Sequence, residues 1–233
     1  MMRFLVYSLL FLFPGLTISD FNPSYSFIPI DEVIENSPDV YSSLELASYG
    51  LSMEAFNTAF VGFNKLKSEN RLENPNILTI VDFSQSSKNK RLYTIDFEKG
   101  ELIHHTLVAH GRNTGEEFAR KFSNIDGSWQ SSLGFYITKG TNMGASVGFS
   151  LIMEGVEKGI NDNAQRRQII VHGAEYATEN FIRNTGRLGR SFGCPAVPPA
   201  DIRPIVNTIK DGTALFIYYP DADYLSNSTL LNG

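Results

Sequence analysis

The sequence is short of the residues that commonly staple or metallate a protein. Cysteine occurs once, at Cys194, which excludes an intramolecular disulfide and any C-x-x-C motif. Histidine occurs four times, at His104, His105, His110 and His172. None of these falls in H-E-x-x-H or H-x-x-E-H spacing. No apolar run reaches the ~20 residues of a membrane-spanning helix. An excess of cations is also missing: 20 Lys and Arg against 25 Asp and Glu leave a net charge of −5. That acidic balance offers no footprint for a polyanion, so no nucleic-acid partner is expected. Internal repeats and low-complexity tracts are absent as well.

What is present begins with "MMRFLVYSLLFLFPGLTIS". One positive residue, Arg3, precedes an apolar run over 4–13, then a Pro14-Gly15 break. Thr17 and Ser19 stand at −3 and −1 from a cut before Asp20. This is the layout of a secretory signal peptide over 1–19. It predicts export to the periplasm or cell envelope, with no membrane span retained after cleavage. A single free thiol in an exported protein is exposed to oxidation, which points to a use for it. The plain alternative is a buried cysteine serving as a small hydrophobe.

Beyond the leader the chain reads helical to about Ser68. Ser37-Pro38 predicts a helix start, with Ser as cap and Pro in the first turn, running to Gly50. Ser52 caps a second helix with Leu51 and Phe56 as a hydrophobic staple. Phe56, Phe60 and Phe63 give it one buried face. From Ile77 the period changes to that of strands: "ILTIVDF", "RLYTIDF" and "ELIHHTLVAH" are separated by polar turns. "SSLGFYITKG", "FSLIMEGV", "RQIIVHG" and "ALFIYYP" continue the sheet. Ile202, Ile205, Val206 and Ile209 form a helical face that Gly212 can end. The expected architecture is mostly β (α+β), with an N-terminal helical pair and a helix after the cysteine.

Three constellations could carry catalysis. In the first, His172 ends the strand "QIIVHG" and Cys194 follows 22 positions later. An ordinary thiol needs a base or a nearby cation to ionise near neutral pH. Histidine can take that proton and return one to a leaving amine. Gly173 leaves the carbonyl side of His172 uncluttered, and Gly193 lets the chain approach a substrate closely. Pro195 has no N–H, so an oxyanion donor must come from Cys194 or earlier. In the second, "GASVG" over 144–148 matches G-x-S-x-G, and Ser146, Asp162 and His172 have the order of a serine hydrolase. The strand-turn-helix context of that motif is missing. In the third, His104 and His110 would share a strand face and join His172 and Cys194 around zinc. Charge favours the first: between Ala164 and Cys194, Arg166, Arg167, Arg183, Arg187 and Arg190 face only Glu175 and Glu179. Arg190 could clamp a substrate carboxylate.

With these residues in view, the chain resembles the murein L,D-transpeptidase catalytic-domain family (YkuD-like) over about residues 77–219. "VHG" followed by "RSFGCPAV" is similar to the family's histidine-glycine and S/T-H-G-C signature. Phe192 stands in place of the usual histidine, and Ala196 in place of the arginine or asparagine two after the cysteine. These departures resemble a variant branch carrying RSFGCPA. The resemblance implies a β-sandwich or barrel-like catalytic domain over 71–222, a helical extension over 20–70 and a tail over 223–233. It makes Cys194 the acylated nucleophile and His172 the base. Ser191, Gly193 and the backbone at Cys194 would hold the oxyanion, with Gly173 in support and Arg190 binding substrate. It implies peptidoglycan stem peptides as partners, with no metal and no cofactor. Hydrolysis by the same site, as carboxypeptidase or endopeptidase, is the alternative reaction. A non-catalytic wall-binding protein is the alternative class.

Overall fold

The computed structural model describes residues 30–233, with side chains from residue 36. The leader predicted over 1–19 lies outside the described residues. Among those described, no helix is long and apolar enough to cross a membrane.

Helix α1 spans Ile30–Ser43 with Pro38 inside it. This corrects the expected start at Ser37. The Ser37 hydroxyl donates to Asn57 Oδ1 at 2.8 Å instead of capping, and the left-handed backbone of Glu45 (φ 51°) turns the chain before Gly50. Helix α2, Met53–Ser68, begins where the sequence predicts: Ser52 Oγ accepts the Ala55 N–H at 3.1 Å. Its aromatic face is used in full. Phe56 stacks on Phe60, and Phe63 stacks on Phe97 with ring centres 5.2 Å apart. Gly62 allows α2 down onto the sheet, since a Cβ there would lie 2.1 Å from the Phe135 ring.

The sheet has eight strands: β1 Ile77–Asp82, β2 Leu92–Asp96, β3 Glu101–Thr106, β4 Gly134–Gly144, β5 Gly148–Gly155, β6 Ile170–Gly173, β7 Ala196–Val197 and β8 Ala214–Tyr218. Their order is β3-β2-β1-β8-β4-β5-β6-β7. The pairs β1/β8 and β6/β7 are parallel and the others antiparallel. Every residue of β1, β2 and β8 is buried, as expected for strands covered on both faces. The two edges come together just past β3, where Ala109 bridges Ala196 of β7. The sheet is thereby nearly closed, and the α+β, barrel-like architecture is the one the chain adopts. Closure matters for the site, because it joins the two loop clusters that flank Cys194.

Helix α4, Ile202–Ile209, buries its four predicted apolar residues on β5 and β6, with Pro204 in its first turn. The short helices α3 (Glu179–Thr185), α5 (Ala222–Asn227) and α6 (Thr229–Asn232) complete the fold. The C-terminal pair is tied to the core by Glu157. Its carboxylate accepts from Phe135 N–H at 2.6 Å, from the Tyr224 hydroxyl at 3.2 Å and from the Ser228 hydroxyl.

Candidate active site

The cysteine turn is built by its own small residues. Ser191 Oγ accepts the Gly193 N–H at 3.0 Å and donates to the Cys194 carbonyl at 2.6 Å. Gly193 has φ +126°, and a Cβ there would meet Gln130 O at 2.9 Å, so only glycine fits. The turn is pinned from outside by two further loops. Ser191 N–H donates to His110 O, and Arg112 N–H donates to Ser191 O at 2.8 Å. Ser131 Oγ donates to Gly193 O at 2.9 Å while accepting the Gly111 N–H. The residue after the cysteine then feeds the parallel ladder: Pro195 O accepts the His172 N–H at 3.3 Å, and His172 pairs with Ala196. Strand pairing, and not sequence proximity, sets His172 beside the turn.

Each group carries a defined hydrogen-bond state. His172 Nδ1 lies 3.1 Å from the Gly173 carbonyl. As the donor to that oxygen, Nδ1 leaves Nε2 with its lone pair. Burial pushes the His172 imidazole down and the Gly173 carbonyl partly offsets it, so the ring is a neutral base near pH 7. The Cys194 thiol donates to Gln168 O at 3.6 Å, and Gln168 aims that carbonyl from a left-handed backbone (φ 56°). Burial pushes the thiol up; the Ile170 N–H, the Arg167 guanidinium and the Cys194 N–H pull it back. Among the described residues no hydrogen bond joins the thiol to His172. The resting pair is therefore thiol and imidazole, both neutral. Tyr176 meets the His172 ring edge-on at 6.4 Å, and burial first, then its proximity to Cys194, raises its phenol.

Cys194 opens into a cavity of about 610 Å³ that Arg167, Gln168, Ile152, Phe192 and the 142–147 hairpin also line. A model of the L,D-transpeptidase catalytic domain matches residues 47–218. The chain belongs to the L,D-transpeptidase catalytic-domain family. The match takes in α2 as well as the sheet. Among solved structures the chain is similar to an L,D-transpeptidase from Mycobacterium smegmatis: 12% identity, 62% of this chain, 59% of that one, TM-score 0.39. An L,D-transpeptidase from Mycobacterium tuberculosis gives 15% identity, 62% and 58%, and TM-score 0.37. A fused Zn-dependent amidase/peptidase/peptidoglycan-binding domain-containing protein from Clostridium acetobutylicum gives 16%, 78%, 62% and 0.39. The chain spans less than two thirds of the length of each of these. No curated protein matches it.

Within this L,D-transpeptidase domain the remaining candidates separate. Arg190 is half-buried, and its Nη1 donates to Arg112 O at 3.0 Å, Gly115 O at 3.2 Å and Glu116 at 2.6 Å. Glu116 also takes Arg187, at 2.7 Å. Arg190 thus braces the loop over 111–120 and does not line the thiol cavity. The cation in that cavity is Arg167. It donates to Ser123 O, Ser132 Oγ, Ser128 Oγ and Gln130 O and, among the described residues, forms no ion pair. In the sequence Arg167 stands out only as one of five arginines between Ala164 and Cys194.

The serine constellation does not assemble. Ser146 is exposed at the tip of the β4–β5 hairpin, and Asp162 bonds Asn124 and Gly159. A hairpin tip supplies no strand-to-helix elbow. Ser146 does line the cavity with Cys194. The zinc set does not assemble either, and the described residues hold no cluster of three candidate ligands. His104 bonds Thr208 Oγ1 on α4 at 2.9 Å, while His110 is buried against Arg91. Strand β3 ends at Thr106 and is bulged, so the two-residue period does not carry from His104 to His110.

Proposed function

We propose that the protein is a cysteine-dependent acyltransferase of the cell envelope acting on peptidoglycan stem peptides. The observation that supports this most is the pairing of β6 with β7: it sets the backbone of His172, whose neutral imidazole is oriented by the Gly173 carbonyl, against Pro195 and Ala196, directly after Cys194, whose thiol opens into a cavity that Arg167 also lines. His172 Nε2 accepts the Cys194 proton, and the sulfur attacks the carbonyl carbon of an L-to-D peptide bond. The Cys194 N–H faces the developing oxyanion; the Gly193 N–H is already engaged by Ser191 Oγ, so these two residues hold the turn in shape. Collapse of the tetrahedral adduct breaks the C–N bond, and the imidazolium returns its proton to the departing amine of D-alanine. An acceptor amine then attacks the thioester, forming the new amide and releasing Cys194. Water as acceptor gives the carboxypeptidase reaction.

The test is incubation of purified protein with a disaccharide-tetrapeptide and an amine acceptor, read by mass. The wild type should yield cross-linked product, with free D-alanine. Cys194→Ala should stay folded and give neither. Iodoacetamide should stop turnover and a chelator should not. Turnover by Cys194→Ala would remove the thiol mechanism. Free D-alanine without cross-linked product would make the enzyme a hydrolase.

A further inference from the structure

Beside the cysteine turn three loops place Arg112, Trp129 and Phe192 together on the surface. Trp129 is the only tryptophan of the chain, yet it is 45% exposed and has a left-handed backbone (φ 56°). Bulky side chains seldom occupy that region, and where they do the strain concentrates at functional positions. Phe192, two residues before the thiol, is 64% exposed. Its ring lies 5.4 Å from that of Trp129. The Arg112 guanidinium sits over both rings, at 5.4 Å and 5.7 Å from their centres.

These positions are fixed by backbone. Arg112 N–H donates to Ser191 O at 2.8 Å and Asn113 N–H to Trp129 O at 3.2 Å. Glu116, the first acidic residue of that loop after Arg112, is shared by Arg187 and Arg190. Among the described residues Arg112 forms no ion pair and donates no side-chain hydrogen bond. An arginine held on aromatic faces keeps its N–H edge free for two parallel bonds to a carboxylate. The rings also exclude water from one side of it. Phe192 connects this cluster to the cavity of Cys194.

We infer that Arg112, held by Trp129 and Phe192, is a carboxylate-recognition subsite for the stem peptide presented to Cys194. The inference rests on the acyl-transfer reading for the identity of the peptide. Its chemistry, a planar cation for a peptide carboxylate, stands independently. A free C-terminal carboxylate and a side-chain carboxylate of the stem present the same group, and selective amidation separates them.

The only tryptophan supplies the probe. Intrinsic emission of Cys194→Ala protein, which cannot turn over, is titrated with a stem tetrapeptide. The same peptide is then used amidated at its C-terminus, at its side chain or at both, and the peptide-free disaccharide follows. Calorimetry runs in parallel. The free acid should saturate the emission change, and amidation of the recognised carboxylate should weaken binding at least tenfold. Arg112→Gln should weaken the free acid at least tenfold and abolish the preference over the amide. Arg112→Lys, which keeps charge without the fork, should fall between. Equal binding of acid and amide overturns the subsite, as does saturation by the disaccharide alone or absence of binding by both methods. Because the variant is inactive by design, these outcomes are separate from whether the wild type transfers an acyl group.

Discussion

At the residue scale the decisive quantity is the protonation state of Cys194. A thiol that donates to Gln168 O and is raised by burial has little thiolate near neutral pH. His172, which burial lowers, is neutral in the same range and on the proposed mechanism takes that proton. Alkylation by iodoacetamide follows the thiolate. Its rate should climb with pH through a midpoint above the ~8.5 of an ordinary thiol. Arg167 pulls that midpoint down. Arg167→Gln should therefore move it further up and slow alkylation at pH 7.5 severalfold, with Arg167→Lys restoring part of the rate. A rate that is flat from pH 6 to 9 would mean a preformed thiolate–imidazolium pair and would overturn the neutral resting state.

At the scale of elements, the loop over 111–120 depends on one side chain of the cysteine turn. Arg190 contributes three hydrogen bonds, one of them to a carboxylate. Arg190→Ala should cost roughly 1.5–3 kcal/mol, the range for bonds to charged groups. It should also expose the loop to limited proteolysis. Arg190→Lys should recover little, because an ammonium on a flexible stem cannot span the same acceptors. Unchanged melting with weaker use of substrate would return Arg190 to the substrate side. The sequence displayed β1 to β6, β8, α2 and α4 because each carries its own periodicity or cap. It did not display β7: two residues have no period, and Ala196 is a strand only through His172 and Ala109. His172 and Cys194 were legible as a motif. Arg167 and Gln168 were not, since Arg167 acts on carbonyls and serine hydroxyls of loops tens of residues away and Gln168 through a carbonyl aimed by a left-handed φ.

At the scale of the whole molecule, closure of the sheet rests on a buried cation beside a histidine. Arg91 is fully buried and donates to Val108 O at 2.9 and 3.0 Å and to Gln85 O at 2.8 Å. Its Nη2 also faces His110 Nδ1 at 2.9 Å, so Nδ1 is the acceptor and His110 is neutral. Burial first, and then Arg91, push His110 down to about 3. In the unfolded chain the same imidazole titrates near 6.5. Below that pH the unfolded state binds a proton that the folded state refuses, so stability falls as pH drops from about 6.5 towards 3. At ~1.36 kcal/mol per unit the full span is on the order of 5 kcal/mol. His104, His105 and His172 are lowered too and act in the same direction. Buried Glu157, which is raised, acts in the opposite one. The His110 share is isolated by His110→Gln, whose side-chain oxygen can still accept from Arg91 without titrating. Chemical denaturation at pH 7, 6, 5 and 4 should show the variant less stable than wild type at pH 7. The gap should narrow steadily with acid. A gap that stays constant would mean that His110 takes up a proton in the folded state as readily as in the unfolded chain, and the closure would then need another account of its buried charge. The consequence reaches the site, because the His110 carbonyl holds the Ser191 N–H. Acid that opens this corner should release the cysteine turn before the all-buried strands β1, β2 and β8 separate, which hydrogen exchange at Ser191 and Leu215 would order in time.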